Sequence, residues 1–192
     1  YLLNLSSSVT LGSIAYSGSA TALEALNVTS FGPGGIAADV GALTVADGAA
    51  GAISMMGSAD GVFSFGTGSR IGTTVGAAIL LANSGASTFN FLGDVNYAGA
   101  DALLFVDGGH SGFVNFGSGT LTASSGIGLQ FDNADGTYAF GGTASLATGI
   151  RIANGSAGSF VFGTGTAIAS PAGIAIDIQD STASFAYSGS LT

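Results

Sequence analysis

The chain has 192 residues, of which 34 are glycine, 47% are hydrophobic and only 7% are charged, with 11 acidic side chains against two arginines and no cysteine. A net charge of −9 leaves Arg70, Arg151 and His110 too sparse to form a basic cluster, which argues against nucleic-acid and membrane-surface partners. A mean hydropathy of +0.59 is too high for a disordered linker, no apolar run reaches the ~18 residues of a membrane span, and the absence of cysteine removes disulfides, thiolate zinc sites and cysteine nucleophiles.

Along the chain one short pattern recurs, a small or polar residue followed by alternating apolar positions. It appears first as Leu2-Leu3-Asn4-Leu5, then Ala25-Leu26-Asn27-Val28, Ala52-Ile53-Ser54-Met55 and Ala78-Ile79-Leu80-Leu81. Ala102-Leu103-Leu104-Phe105, Gly126-Ile127-Gly128-Leu129, Gly149-Ile150-Arg151-Ile152 and Gly173-Ile174-Ala175-Ile176 continue it. Anchoring each block on its first apolar residue gives Leu3, Leu26, Ile53, Ile79, Leu103, Ile127, Ile150 and Ile174, a period of about 24. A second block, mostly aromatic, follows the anchors: Ile14 and Tyr16 in the first coil, then Phe63 and Phe65, Phe89 and Phe91, Phe113 and Phe116, Tyr138 and Phe140, Phe160 and Phe162, Phe185 and Tyr187. Only the second repeat departs, offering Ile36 to Val40 instead. A third, shorter apolar pair comes next, as in Leu43 and Val45, Ile71, Val95 and Tyr97, Leu121, and Ile168.

Alternation with period 2 marks a strand buried on one face, and the intervening Gly, Ser, Asn and Asp supply turns. Three such strands per unit predict an all-β fold: a right-handed parallel β-helix, or β-solenoid, of about eight three-sided coils with ~24 residues per coil. Successive coils would lie about 4.8 Å apart, stacking the eight anchors into one aliphatic column and Phe65, Phe91, Phe116, Phe140 and Phe162 into an aromatic one. Residues 1–192 are expected to form a single solenoid domain. The chain begins with Tyr1 without a signal segment, and neither end carries a polar cap, so we expect an excerpt of a longer chain or end-to-end self-association.

Two stretches, Asn133 to Thr143 and Phe116 to Thr122, resemble the repeats of autotransporter and two-partner-secretion passenger regions and of other large bacterial surface proteins. That resemblance extends over essentially the whole chain. It implies export to the cell surface, a β-helix, and a role in adhesion, surface coats or matrix, with no active site to carry over.

Chemistry is thin. His110, in Asp107-Gly108-Gly109-His110-Ser111, lacks the Gly-x-Ser-x-Gly elbow and oxyanion donors of a hydrolase, and reads as a solvated turn residue. Acidic residues fall at scattered registers, as Glu24, Asp60, Asp94, Asp101 and Asp177 show; only Asp107 and Asp132 look adjacent, and these read as an Asx-rich turn. Asn83, Asp107, Asn133, Asp135, Asn154 and Asp180 gather on one edge, where oxygen ligands would suit calcium, although neither a Gly-Gly-x-Gly-x-Asp repeat nor an EF-hand spacing is present. Gly66-Thr67-Gly68 and Gly163-Thr164-Gly165 read as turns rather than phosphate loops, and Thr120-Leu121-Thr122 has the form of an ice-binding ladder that the other coils do not repeat. Sequons at Asn4, Asn27 and Asn154 matter where the source glycosylates. Arg151 is expected outside, between Gly128 and Ala175, paired with Asp177. No catalytic, cofactor or metal residue is assigned. The expected function is an extracellular structural or adhesive segment, a stalk, fibre, coat or matrix component without enzymatic activity. The alternatives are a β-helix that acts on or binds surface polysaccharide, then an ice- or mineral-binding face.

Overall fold

The structure, a computed structural model, describes residues 2–5, 7–17, 24–31, 36–57, 60–169, 171 and 173–192, with 2–5 and 24–31 as backbone alone. Every element among these residues is a strand. Four come first: β1 (Leu2–Leu5), β2 (Val9–Tyr16), β3 (Glu24–Phe31) and β4 (Ala37–Val45). Six coils of three strands follow. They are β5 (Gly51–Met56), β6 (Val62–Phe65) and β7 (Arg70–Ile71); then β8 (Ile79–Ala82), β9 (Thr88–Phe91) and β10 (Asp94–Tyr97); then β11 (Ala102–Asp107), β12 (Phe113–Phe116) and β13 (Thr120–Ala123). The last three are β14 (Gly128–Asp132), β15 (Thr137–Phe140) and β16 (Thr143–Leu146); β17 (Ile150–Ala153), β18 (Ser159–Phe162) and β19 (Thr166–Ile168); and β20 (Ile176–Ile178), β21 (Ser184–Tyr187) and β22 (Ser190–Leu191).

Each strand pairs in parallel with its equivalent one coil away, so the chain is an all-β parallel β-solenoid. Hydrogen bonding sorts the strands into two sheets: an eight-stranded one ordered β1-β3-β5-β8-β11-β14-β17-β20, and a 14-stranded one holding all the others. The three-strand coil recurs six times, from β5 to β22, against the eight expected, and two of its three ladders join through β4 into one sheet. The first part of the chain uses long strands, and β4 alone serves two ladders, pairing with β6 through Ala37–Val40 and with β7 through Thr44–Val45. Inside β4, Val40 and Leu43 are both buried, an odd spacing, because Gly41 and Ala42 both turn outward and bend the strand. From β6 onward the chain breaks at this corner with Gly66-Thr67-Gly68, where the Ser69 N–H bonds the Gly66 carbonyl, and one long strand becomes two short ones.

Inside, the expected aromatic column is present. Phe65, Phe91, Phe116, Phe140 and Phe162 are all buried, with Phe116–Phe140 and Phe140–Phe162 ring centroids 5.2 and 4.5 Å apart and nearly parallel. A second inward row runs Phe63, Phe89, Val114, Tyr138, Phe160, and Val40 leads the first where the second repeat lacks aromatics. Full burial of one such ring stabilises by about 1.5–3 kcal/mol, and each well-placed pair adds about 0.5–1.5 kcal/mol.

The aliphatic column follows a different register from the one the repeat suggested. Ladder pairing joins Leu26, Ile53, Ile79, Leu104, Leu129, Ile150 and Ile176. Ile127 and Ile174 lie outside it, 50% and 67% exposed. Gly126 and Gly128, at φ of 84° and 74°, keep the chain from extending around Ile127, so that strand starts two residues later than its spelling implies. Leu103 is buried but cedes the rung to Leu104 through a register shift, and Leu3 pairs with Val28 rather than Leu26. The side chains of Leu3 and Leu26 lie outside the described residues.

Replacing Phe140 with Asp puts an unpaired charge into the aromatic column and is expected to cost about 4 kcal/mol or more, whereas Arg151→Ala, at a half-exposed ion pair, should cost at most about 1 kcal/mol. Denaturant unfolding of both variants checks this. Equal losses would place the Phe140 ring outside the solenoid.

Candidate functional site

Where β5, β8, β11, β14, β17 and β20 end, each coil turns through a residue in the left-handed region. Gly57, Asn83, Gly108, Asn133, Asn154 and Asp180 hold φ between 45° and 92°. Asn and Asp tolerate that conformation better than other residues with a side chain, and glycine adopts it freely. The oxygen-rich edge expected from the sequence is thus a rung of left-handed turns, and backbone bonds tie it along the axis, as from the Asn83 N–H to the Asp107 carbonyl at 2.9 Å. Among the described residues, no three acidic or histidine side chains converge there. Asn154, one of the three sequons, is exposed on this rung. The side chains of Asn4, Asn27 and Glu24 lie outside the described residues.

Four carboxylates bind the next coil. Asp47 accepts from the Thr73 N–H at 2.7 Å, Asp94 from Thr120 at 2.9 Å and Asp135 from Ala157 at 3.0 Å. Asp94 also pairs with Arg70 at 2.9 Å. Val106 pairs with Phe131, which sets Asp107 and Asp132 one coil apart on the same rung. Asp132 is engaged by Arg151, whose Nη1 donates to Oδ1 at 2.9 Å, while the Asp177 carboxylate lies 3.9 Å from Nε. Arg151 therefore leans mainly on Asp132 rather than Asp177, and its neighbours in register are Gln130 and Asp177 rather than Gly128 and Ala175.

His110 departs furthest from expectation: it is not a solvated turn residue but fully buried. Its Nε2 lies 3.1 Å from the Ser87 carbonyl, which only accepts, so Nε2 carries the proton. Burial pushes the ring below its ordinary pKa and keeps it neutral, leaving Nδ1 to accept from the Tyr138 hydroxyl at 3.0 Å. That hydroxyl also faces the His110 carbonyl at 3.1 Å, a second acceptor for its one proton, and accepts from the Gly136 N–H at 3.3 Å; burial raises its own pKa. One imidazole thus joins three successive coils. The same stretch in neighbouring coils holds Ser84, Ala134 and Ser156, all buried, and this run of small inward residues was the available signal that His110 points in.

On the outer face of the eight-stranded sheet, a groove of about 430 Å³ crosses β14, β17 and β20, with Arg151, Thr148, Ile127 and Ile174 among its lining. Its residues were singled out from sequence only as core anchors or as a surface ion pair. What the geometry defines is a parallel β-solenoid repeat protein. No family model, curated protein or solved structure matches the chain.

Because the folded state holds His110 neutral, its contribution to stability is complete above the ordinary histidine value of 6.5 and is lost as the pH falls below it toward the depressed folded value. Urea midpoints at about pH 7.5 and 5.5 should therefore diverge more for the native chain than for His110→Gln. Parallel declines would mean that the ring takes up its proton in the fold as readily as in the unfolded chain.

Proposed function

We propose that this chain is an extracellular structural and adhesive segment of a bacterial surface protein, of the autotransporter-passenger kind that its repeats resemble. The observation that carries this reading is one outer face of the 14-stranded sheet. There β6, β9, β12, β15, β18 and β21 align two outward rows: Val62, Thr88, Phe113, Thr137, Ser159, Ser184, and Ser64, Asn90, Asn115, Ala139, Val161, Ala186. None of these side chains is ionisable. At about 4.8 Å per coil they form a uniform neutral strip about 24 Å long.

A strip of this kind favours many weak contacts with an extended, repetitive partner over capture of one small molecule. Weak contacts on a rigid array add through effective concentration without any one being strong. The carboxylates support the same reading, since Asp47, Asp94, Asp132 and Asp135 brace neighbouring coils instead of converging on a substrate position. Continuation of the solenoid in a longer chain, or stacking of copies end to end, belongs to this role. Polysaccharide-acting chemistry is the second reading, resting on the shared rung of Asp107 and Asp132.

Immunogold electron microscopy of intact source cells is expected to place the chain at the cell surface, and label confined to the cytoplasm would overturn the proposal. Incubation with pectin, alginate and dextran should release no new reducing ends. Turnover that disappears in Asp107→Asn or Asp132→Asn would transfer the function to the second reading.

A further inference from the structure

The groove across β14, β17 and β20 has features that a scaffold does not need. Leu129, Ile150 and Ile176 pair along one inward rung. Two residues earlier in each coil stand Ile127, Thr148 and Ile174, with the two isoleucines 50% and 67% exposed on either side of a threonine that is only 7% exposed. Two coils separate the isoleucines, about 9.6 Å on the usual strand spacing. Between them the Thr148 hydroxyl is buried and has no hydrogen-bond partner among the described residues. Gly126, Gly149 and Gly173 contribute backbone to the lining, and at Gly173 the place of a side chain is open space, which leaves room for a flat group beside Ile174.

One residue beyond the inward rung, Gln130, Arg151 and Asp177 align side by side. Gln130 donates its amide N–H to the Ile127 carbonyl, leaving its amide oxygen as the remaining acceptor. Arg151 is oriented by Asp132 at 2.9 Å and lies 3.9 Å from Asp177, and a guanidinium has five N–H donors, more than these contacts use. Gln179 in turn donates to both Asp177 oxygens at 2.7 and 2.6 Å, which holds that carboxylate in place.

From this arrangement we propose that the groove binds one ring of a neutral polysaccharide. Apolar isoleucine flanks suit the C–H face of a sugar, and a wall of alternating donors and acceptors suits hydroxyl groups, which do both. An anionic sugar would meet two carboxylates against one guanidinium. An extended peptide would add to a free strand edge, but β14 and β17 are paired on both sides, and the free edge of β20 is the one turned away from β17, Arg151 and Thr148. The volume of about 430 Å³ falls within the range of small-ligand sites. This groove and the uncharged strip lie on different sheets, so either assignment stands if the other fails.

Titration of the full chain with the hexasaccharides of cellulose, amylose and chitin, with hexagalacturonate as the anionic comparison, tests the proposal by isothermal calorimetry and by amide chemical-shift mapping. At least one neutral hexasaccharide is expected to bind, with shifts concentrated in 126–130, 148–151 and 173–177. Thr148→Val, Arg151→Met and Ile174→Ser should each weaken binding by about tenfold, whereas Arg70→Met, on the other sheet, should leave it unchanged. Ile174→Ser alters an exposed side chain and tests the site even where the other variants perturb folding. The proposal is overturned if no neutral hexasaccharide binds at about 10 mM, if hexagalacturonate binds more tightly, or if Ile174→Ser binds as the native chain does.

Discussion

Everything in this fold depends on coils repeating at the spacing of a parallel β ladder, about 4.8 Å. A coil can be longer or shorter at its corners, but each strand must present its side chains opposite those of the strand beneath. Aromatic rings accept this spacing well: Tyr138 and Phe160 stack at 4.6 Å with planes only 12° apart, close to the backbone rise itself. The same spacing governs the corners, where chain passes directly over chain. At one corner, any side chain on Gly93, Gly119 or Gly142 would run into a backbone carbonyl of the coil before it, from Ser69, Gly93 and Gly119 respectively. At another, Gly112, Gly136 and Gly158 stand in the same relation to Ser87, Gly112 and Gly136. These carbonyls accept from the next coil, as when Gly112 accepts from the Thr137 N–H and Gly136 from the Ser159 N–H, both at 2.8 Å. Much of the high glycine content is therefore a packing requirement between coils rather than a sign of flexibility.

How well the sequence could be read depended on which of these constraints a residue answers to. The aromatic column was legible because Phe-x-Phe states both the side that is buried and the position along the strand. Gly-Ile blocks do not. In β17 the isoleucine of Gly149-Ile150 takes the inward rung, while in Gly126-Ile127 and Gly173-Ile174 the isoleucine stands two residues before the one that does, Leu129 or Ile176. A shift of two keeps the alternation in phase and so leaves no trace in the pattern, yet it moves Ile127 and Ile174 from the core to the surface. The opening strands were misjudged for another reason. A continuous nine-residue strand such as β4 contains the same apolar positions as two short strands with a corner between them, and only the outward Gly41-Ala42 pair marks the bend.

Polar residues show the complementary difficulty. Asn83, Asn133, Asn154 and Asp180 form an edge that looks like a ligand set, yet all four occupy a backbone conformation that explains their identity without any ligand. His110 looks like a surface residue because it follows two glycines, but its ring is buried and needs the Tyr138 hydroxyl of the next coil and the Ser87 carbonyl of the previous one. Neither partner is near it in sequence. Legibility fails wherever a residue's partner is one full coil away and the spacing between coils varies, which is the ordinary condition of a solenoid.

The same geometry separates positions open to a partner from positions closed to one. Inward positions are consumed by the column they belong to, since changing one disturbs the rings above and below it. Outward positions are free of that restriction, and a residue placed there in one coil gains neighbours at fixed spacing from the coils on either side. Extended recognition is therefore available to this architecture without any pocket. A discrete site needs a break in the repeat, and the delayed start of β14 and β20 provides one: it lifts Ile127 and Ile174 out of the core while Ile150 between them stays in, leaving the Thr148 hydroxyl in the gap. The irregularity that made the register hard to read is the same one that opens the groove.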